Sequence, residues 1–213
     1  MAIANITFNS RSITNFRDRL VGGGSRPNFF EVNITLPSSV DKFADVDTDM
    51  RFMIKAAEIP AANLGNIPIP FRGRVLPVAG DRTFDPWTIT VINDTDFSIR
   101  SAMERWSNFI NDIQTNQGSS DPSTYQKSAT VKQLSRQGGI EDEGDIKVLR
   151  TYKFEGIYPN SVSSIPLDYG ATDQIEEFQV TFNYLFYEIT GGTDGLGKST
   201  QSDKLTEKGS ATT

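Results

Sequence analysis

Neither cysteine nor histidine occurs among the 213 residues. Their absence excludes disulfides, thiolate nucleophiles, thiolate- or imidazole-ligated zinc, serine–histidine triads and imidazole acid–base steps. Basic residues are in deficit too: 21 lysines and arginines stand against 27 aspartates and glutamates, for a formal charge of −6. A chain of that sign has no electrostatic reason to grip nucleic acid. No apolar run approaches the roughly 18–20 residues of a membrane span, and the N-terminus lacks a signal-peptide core. What is present is enough to fold: 37% of the residues are apolar and 10% aromatic. A chain this long buries roughly 70% of its unfolded surface, so it needs no metal or staple. The expectation is a soluble protein without catalytic equipment.

Periodicity divides the chain into an N-terminal arm (1–25), a β-rich domain (26–190) and a polar C-terminal tail (191–213). In the arm, Ile13, Phe16 and Leu20 fall three and four apart between Ser12 and Gly22, the spacing of a short capped helix. From Phe30 the period becomes two, with Val32, Ile34 and Leu36 alternating with polar residues until Pro37. Further strands are expected over 51–58, 82–93, 125–134 and 148–155. The prolines between 60 and 77 make 63–78 read as loop and short edge segments. One helix is expected near 95–113, because Ile99, Ala102, Met103, Trp106, Phe109, Ile110 and Ile113 form a single apolar stripe, with Asp94 or Thr95 as its cap. A last long strand, 174–189, places Phe178, Val180, Phe182, Tyr184 and Phe186 on one face. Several strands, one helix and no strand–helix–strand rhythm imply a mainly β (α+β) fold, two packed antiparallel sheets in a sandwich or barrel with a flanking amphipathic helix.

Three motifs invite a chemical reading. Gly192 to Ser199 has the spacing of a phosphate-cradling loop, with Lys198 in the phosphate position. The following residues, Thr200 to Asp203, start a helix poorly, and no later strand is left to carry the magnesium aspartate. Asp45, Asp47 and Asp49 open like a calcium loop, but Met50 occupies the position that needs glycine and Ala56 the position that needs a bidentate glutamate. Glu176 and Glu177 are adjacent, and adjacent strand residues point to opposite faces, so they do not flank one bond. No catalytic, cofactor or metal residue is assigned. Charge distribution is more informative: 154–197 contains no lysine or arginine, yet holds Glu155, Asp168, Asp173, Glu176, Glu177, Glu188 and Asp194.

Several segments are similar to a known family. Arg26-Pro27-Asn28, Lys55-Ala56-Ala57, Pro70-Phe71-Arg72-Gly73-Arg74 and above all Val78-Ala79-Gly80-Asp81-Arg82-Thr83-Phe84-Asp85-Pro86-Trp87-Thr88 carry the likeness. With Val91 to Asp94, Tyr125 to Ala129, Gly156 to Pro159 and Glu176 to Phe182, they resemble the tail tube proteins of contractile-tailed bacteriophages, relatives of type VI secretion tube proteins. The resemblance spans 26–190. It implies a structural virion protein without enzymatic turnover, whose copies form homohexameric rings with strands continuing from subunit to subunit into one β-barrel. Stacked rings make the conduit for genome ejection at host cell entry. The implied partners are other copies, the tail sheath, the tape-measure protein, and baseplate and tail-terminator proteins, with DNA in transient, non-specific passage and no membrane anchor. The implied place is the virion tail, assembled in the host cytoplasm.

The residues fit such a role. A barrel wet inside and dry outside needs strands polar on one face, and Glu177, Gln179, Thr181 and Asn183 alternate with Phe178, Val180 and Phe182. These four are the lumen-facing candidates, and the strand from Phe178 to Phe186 would span about 30 Å. A bore without basic residues would let DNA slide. Arg72, Arg74, Asp81 and Arg82, expected in loops beside that strand, are candidates for ion pairs between subunits or rings. If they are ordinary solvated charges instead, Arg82→Ala leaves assembly unchanged. A tube subunit of a type VI-like secretion or extracellular contractile injection system is the alternative of the same build. A nucleotide-binding protein using Lys198 and a monomeric ligand-binding sandwich are the alternatives of other classes.

Overall fold

The computed structural model describes residues 13–20, 24–38, 40, 46–138 and 146–190. In chain order the elements are α1 (Ile13–Arg19), β1 (Phe30–Ile34), α2 (Val46–Met53), β2 (Ile54–Ala57), β3 (Ala62–Phe71), β4 (Arg74–Phe84) and β5 (Trp87–Ile92). They continue with α3 (Ser98–Ile110), α4 (Pro122–Tyr125), β6 (Lys127–Gly138), β7 (Ile146–Val162), β8 (Glu177–Asn183) and β9 (Phe186–Thr190). The expected class holds: antiparallel sheets dominate and the helices flank them.

Hydrogen bonding runs β1-β6-β7-β8-β5-β2, with β9 added to β7, and β3-β4 forms a separate two-stranded ribbon. Strand β7 belongs to two sheets. Its residues from Thr151 to Ile157 face β6 and β9, whereas Tyr158 to Val162 face β8. The change of partner falls at Gly156, whose φ is +69°. That left-handed value is routine for glycine alone, and it bends the strand out of one sheet into the other. A Cβ there would also lie 2.7 Å from the Leu185 side chain.

The two sheets enclose one core. Trp87, Ile89 and Val91 of β5 pair in register with Phe182, Val180 and Phe178 of β8, and all six are buried. Trp87 stacks on Phe154 of β7 with ring centroids 4.6 Å apart. Helix α3 contributes Ile99, Ala102, Met103 and Trp106, and the Trp106 indole Nε1 donates to the Tyr125 carbonyl at 2.9 Å. Helix α2 packs against β1, β2 and β5 where the path of strands ends, burying Val46 and Met50.

Several boundaries differ from expectation, each for a local reason. The helix starts at Ser98 after Phe97 in a left-handed conformation, with no side-chain cap. The Asp94 carboxylate instead accepts from the Thr95 backbone N–H at 2.6 Å, and the Asp94 carbonyl accepts from the Phe97 N–H at 3.0 Å, closing a turn before the helix. Ile113 lies beyond the helix and is exposed. Residues 51–53 are helical, because the apolar side chains of α2 follow its inner face. The single strand expected over 174–189 is two strands. β8 and β9 run in the same direction along β7, in one register from Tyr158↔Asn183 to Thr151↔Thr190, and the break at Tyr184-Leu185 shifts the alternation, so Phe186 is exposed rather than in line with Phe178 and Phe182. The stretch from Phe178 to Phe186 is therefore carried by two strands end to end on β7, the seven-residue β8 and the five-residue β9. Break at Asp85-Pro86 likewise splits 82–93 between β4 and β5.

Two expectations follow. Gly156→Ala should destabilise the chain by about 1–3 kcal/mol in urea unfolding, from left-handed strain and the Leu185 contact. Leu185→Ala in the same chain should recover only the contact part. Separately, burial, with the Tyr187 and Asp85 charges, pushes the Tyr184 phenol up to about 12. The unfolded chain releases that proton first, near pH 10, so stability should fall as pH rises from about 10 to 12. The Tyr184 hydroxyl is buried without a hydrogen-bond partner. Tyr184→Phe should therefore cost nothing at neutral pH and flatten the alkaline slope, as read by denaturation at each pH.

Candidate assembly surfaces

Antiparallel pairing of β5, β7 and β8 presents one dry and one wet face. Glu177, Gln179, Thr181 and Asn183 lie together on the wet face, alternating with the buried Phe178, Val180 and Phe182. Thr88 sits opposite Thr181 and Thr90 opposite Gln179. The Thr88 and Thr181 hydroxyls share a hydrogen bond of 3.2 Å, and the Asn183 amide donates to the Tyr158 hydroxyl at 3.3 Å. The Gln179 backbone N–H donates to Ser163 Oγ at 2.8 Å. Threonine, glutamine, serine and asparagine thus make most of this face polar and uncharged, with Glu177 at one end.

One basic residue breaks the pattern. Lys55 of β2 donates from Nζ to Glu177 Oε1 at 2.6 Å. Sequence reasoning missed it because the two residues are 122 positions apart and meet only across the β2-β5-β8 ladder. Glu176 points elsewhere, accepting from Asn93 Nδ2 at 3.0 Å. The two adjacent carboxylates therefore have different partners and do not converge on one bond. Among the described residues no group of three potential metal ligands comes together. Residues 46–53 are helical where a calcium loop would wrap, although Asp45 lies outside the described residues. The Gly192–Ser199 motif also lies outside them.

The second surface is the β3-β4 ribbon. Its residues pair from Ala62↔Phe84 to Phe71↔Arg74 and close on a two-residue turn, Arg72-Gly73, with φ of 45° and 80°. Positive φ at both central positions matches the twist of a tight hairpin, which is why glycine stands at 73. The prolines that argued for loop are tolerated for a clear reason. Pro68 faces Pro77, and two residues without N–H groups fit only a pair whose donors would have pointed away from each other. Pro70, two residues on, removes a third outward donor. The ribbon edge is therefore poor at adding strands.

The ribbon's side chains are unusually apolar for an exposed element. Leu64, Ile67, Ile69, Phe71, Val75 and Leu76 are all 46% exposed or more. Arg72 lies over the Phe71 ring at 5.4 Å, a cation–π contact at the tip. Of the four candidate charges, Arg72 occupies the turn, while Arg74, Asp81 and Arg82 are within β4 rather than in loops. Arg72 and Arg74 share the tip, whereas Asp81 and Arg82 sit near the root, about 25 Å along the strand. All four are exposed, and they make two groups rather than one.

Comparison with known proteins places these features. The family model for phage tail tube proteins matches residues 25–190. Tail tube protein gp19 of Enterobacteria phage T4 is 32% identical over 171 residues, covering 78% of this chain and 93% of that protein. In fold, the chain is similar to a protein in the 6-fold symmetrised baseplate of the anti-feeding prophage, with a TM-score of 0.55 at 11% identity, covering 80% of this chain and 97% of that one. It is also similar to one in the extended sheath–tube complex of an extracellular contractile injection system, with a TM-score of 0.50 at 16% identity, covering 85% and 99%.

Because the ribbon stands outside the core, its apolar residues should contribute little to the stability of a single chain. Leu76→Lys should change the unfolding free energy by no more than about 0.5 kcal/mol. Phe182→Ala, by contrast, should cost about 3–5 kcal/mol. Denaturant titration of both variants under dilute, unassembled conditions checks the contrast.

Proposed function

The chain belongs to the phage tail tube protein family, and we propose that its copies close into hexameric rings that stack into the inner conduit of a contractile tail. The observation that carries this reading is the division of the β5-β8 sheet. Its wet face carries Thr88, Thr90, Gln179, Thr181 and the Lys55–Glu177 pair, while its dry face is core. Glu177, Gln179, Thr181 and Asn183 then line the bore. Six copies would give a wall of hydroxyls and amides in which the lysine charge is cancelled locally. DNA, with one charge per about 1.7 Å of axis, gains nothing by binding such a wall and passes along it.

Ring closure also answers the open edges. Among the described residues, β1 is bonded to β6 alone and β2 to β5 alone, so each leaves one edge unpaired. Pairing those edges with neighbouring copies continues the sheet around the ring and removes a template for uncontrolled association. The domain that does this is 26–190, with 1–25 and 191–213 as appendages. The protein turns over no substrate. Sheath, baseplate, terminator and tape-measure proteins are its partners in the virion, as the tube, baseplate and sheath assemblies of its fold relatives support.

Electron microscopy of the purified chain should show six-fold rings or hollow rods. A monomer under all conditions, including added baseplate, would overturn the reading. Within assembled tubes, Glu177→Gln should leave Lys55 unpaired around the bore. Short duplex DNA should then be retained at low salt and released as salt rises, whereas wild-type tubes should retain none.

A further inference from the structure

Among the described residues, the β3-β4 ribbon and the β7–β8 connection are exposed surfaces at opposite ends of the same sheet. The root of the ribbon continues the β2-β5 ladder past Trp87: the Glu58 N–H donates to the Thr88 carbonyl and the Asp85 N–H to the Ala61 carbonyl. At the other end of β5, Ile92 faces Glu177, and the Asn93 N–H donates to the Glu176 carbonyl. There the β7–β8 connection folds into a groove of about 870 Å³, lined by Ile165, Leu167, Asp168, Tyr169, Ile175 and Glu176 among others. Six residues of β5 separate the two features, about 20 Å.

The groove and the ribbon are opposite in charge, and both expose apolar side chains. Leu167, Tyr169 and Ile175 of the groove are 71% exposed or more, so among the described residues no segment covers its apolar side chains. Asp168, Glu176 and Glu177 line it, and Asp173 is in the same loop; Lys55 pairs with Glu177, while 154–197 itself contains no lysine or arginine. The ribbon offers the converse: Phe71 and Val75 exposed at its tip, flanked by Arg72 and Arg74. Its outward edges lack donors at three prolines, which suits insertion of side chains into a seat rather than strand addition.

We infer that the tip of the β3-β4 ribbon of one copy seats in the 165–176 groove of a second copy in the adjoining ring. The inference rests on the tube reading and deepens it, by naming the surface that receives the ribbon. A knob at one pole and its seat at the other make a heterologous contact, which repeats along an axis without closing on itself. Apolar contact at Phe71 and Val75 supplies adhesion. The arginine–carboxylate pairs around it set orientation and reject the reverse stacking, in which tip meets tip and like charges face each other.

Because the chain has no cysteine, introduced thiols report on one contact only. Chains carrying Arg74→Cys with Asp168→Cys should assemble, and a short bis-maleimide should convert the tubes into a covalent ladder on a denaturing gel. Each single-cysteine variant should stay unlinked. In parallel, Arg72→Glu with Arg74→Glu should abolish stacking while leaving single rings, and adding Asp168→Lys with Glu176→Lys should restore rods. Rods that form with no ladder, or that form as in wild type despite the arginine reversal, overturn the docking and leave the tube reading standing. Rods unaffected by the groove substitutions alone also overturn it, leaving the groove for another occupant. Absence of both rings and rods from the wild-type chain overturns the tube reading and this inference with it.

Discussion

One strand serving two sheets is the constraint on which the rest of the molecule depends. β7 is 17 residues long, and it pairs with β6 and β9 over one part and with β8 over the other. The left-handed Gly156 lets it leave β6 and β9 and enter the ladder with β8. Phe154, just before that bend, points into the space between the sheets and stacks on Trp87 from the other side. The bend therefore does more than connect: it sets the angle at which two apolar faces meet, and the aromatic cluster of Trp87, Phe154, Phe182 and Trp106 fills the corner thus formed.

Once the corner is fixed, the wet face follows from alternation. Each residue of β5 or β8 that goes into the core sends its neighbours outward, so burial of Trp87, Ile89 and Val91 obliges Thr88 and Thr90 to face away. Threonine suits that position twice over. It has the β-branched shape that strands favour, and a hydroxyl that is satisfied across the ladder, as Thr88 and Thr181 are by each other. A lysine on such a surface would ordinarily be a point of attachment for a polyanion. Lys55 is held by Glu177 instead, and both remain partly solvated, so the pair matters for local neutrality more than for stability.

The periodic elements were legible in the sequence where period and burial coincide. β8 could be read from Phe178 to Phe182 and α3 from Ile99 to Trp106, because each buries the residues its period selects. The wet-face candidates were legible for the same reason. Long-range facts were not. Nothing local announces that Lys55 meets Glu177, that the long strand breaks at Tyr184-Leu185 between β8 and β9, or that a glycine in Phe154-Glu155-Gly156-Ile157 marks a change of sheet. The ribbon was hidden by a reliable local rule applied to an atypical case. Proline is unfavourable in a sheet interior because a donor is lost from the ladder, but a free-standing two-stranded ribbon has outward positions where no donor is needed.

That exception has a physical consequence for the molecule as a whole. A ribbon of about ten residues per strand with apolar side chains in water is marginal by itself, since isolated hairpins bury too little to offset their ordering. The prolines lower that cost by restricting the unfolded chain, and the Arg72-Gly73 turn fixes register at the tip. Neither gives the exposed Leu64, Ile67 and Leu76 a reason to be apolar. In a solitary protein, polar residues there would serve equally well and avoid aggregation. Their presence fits the proposed assembly, in which the surface that covers them belongs to another copy of the chain.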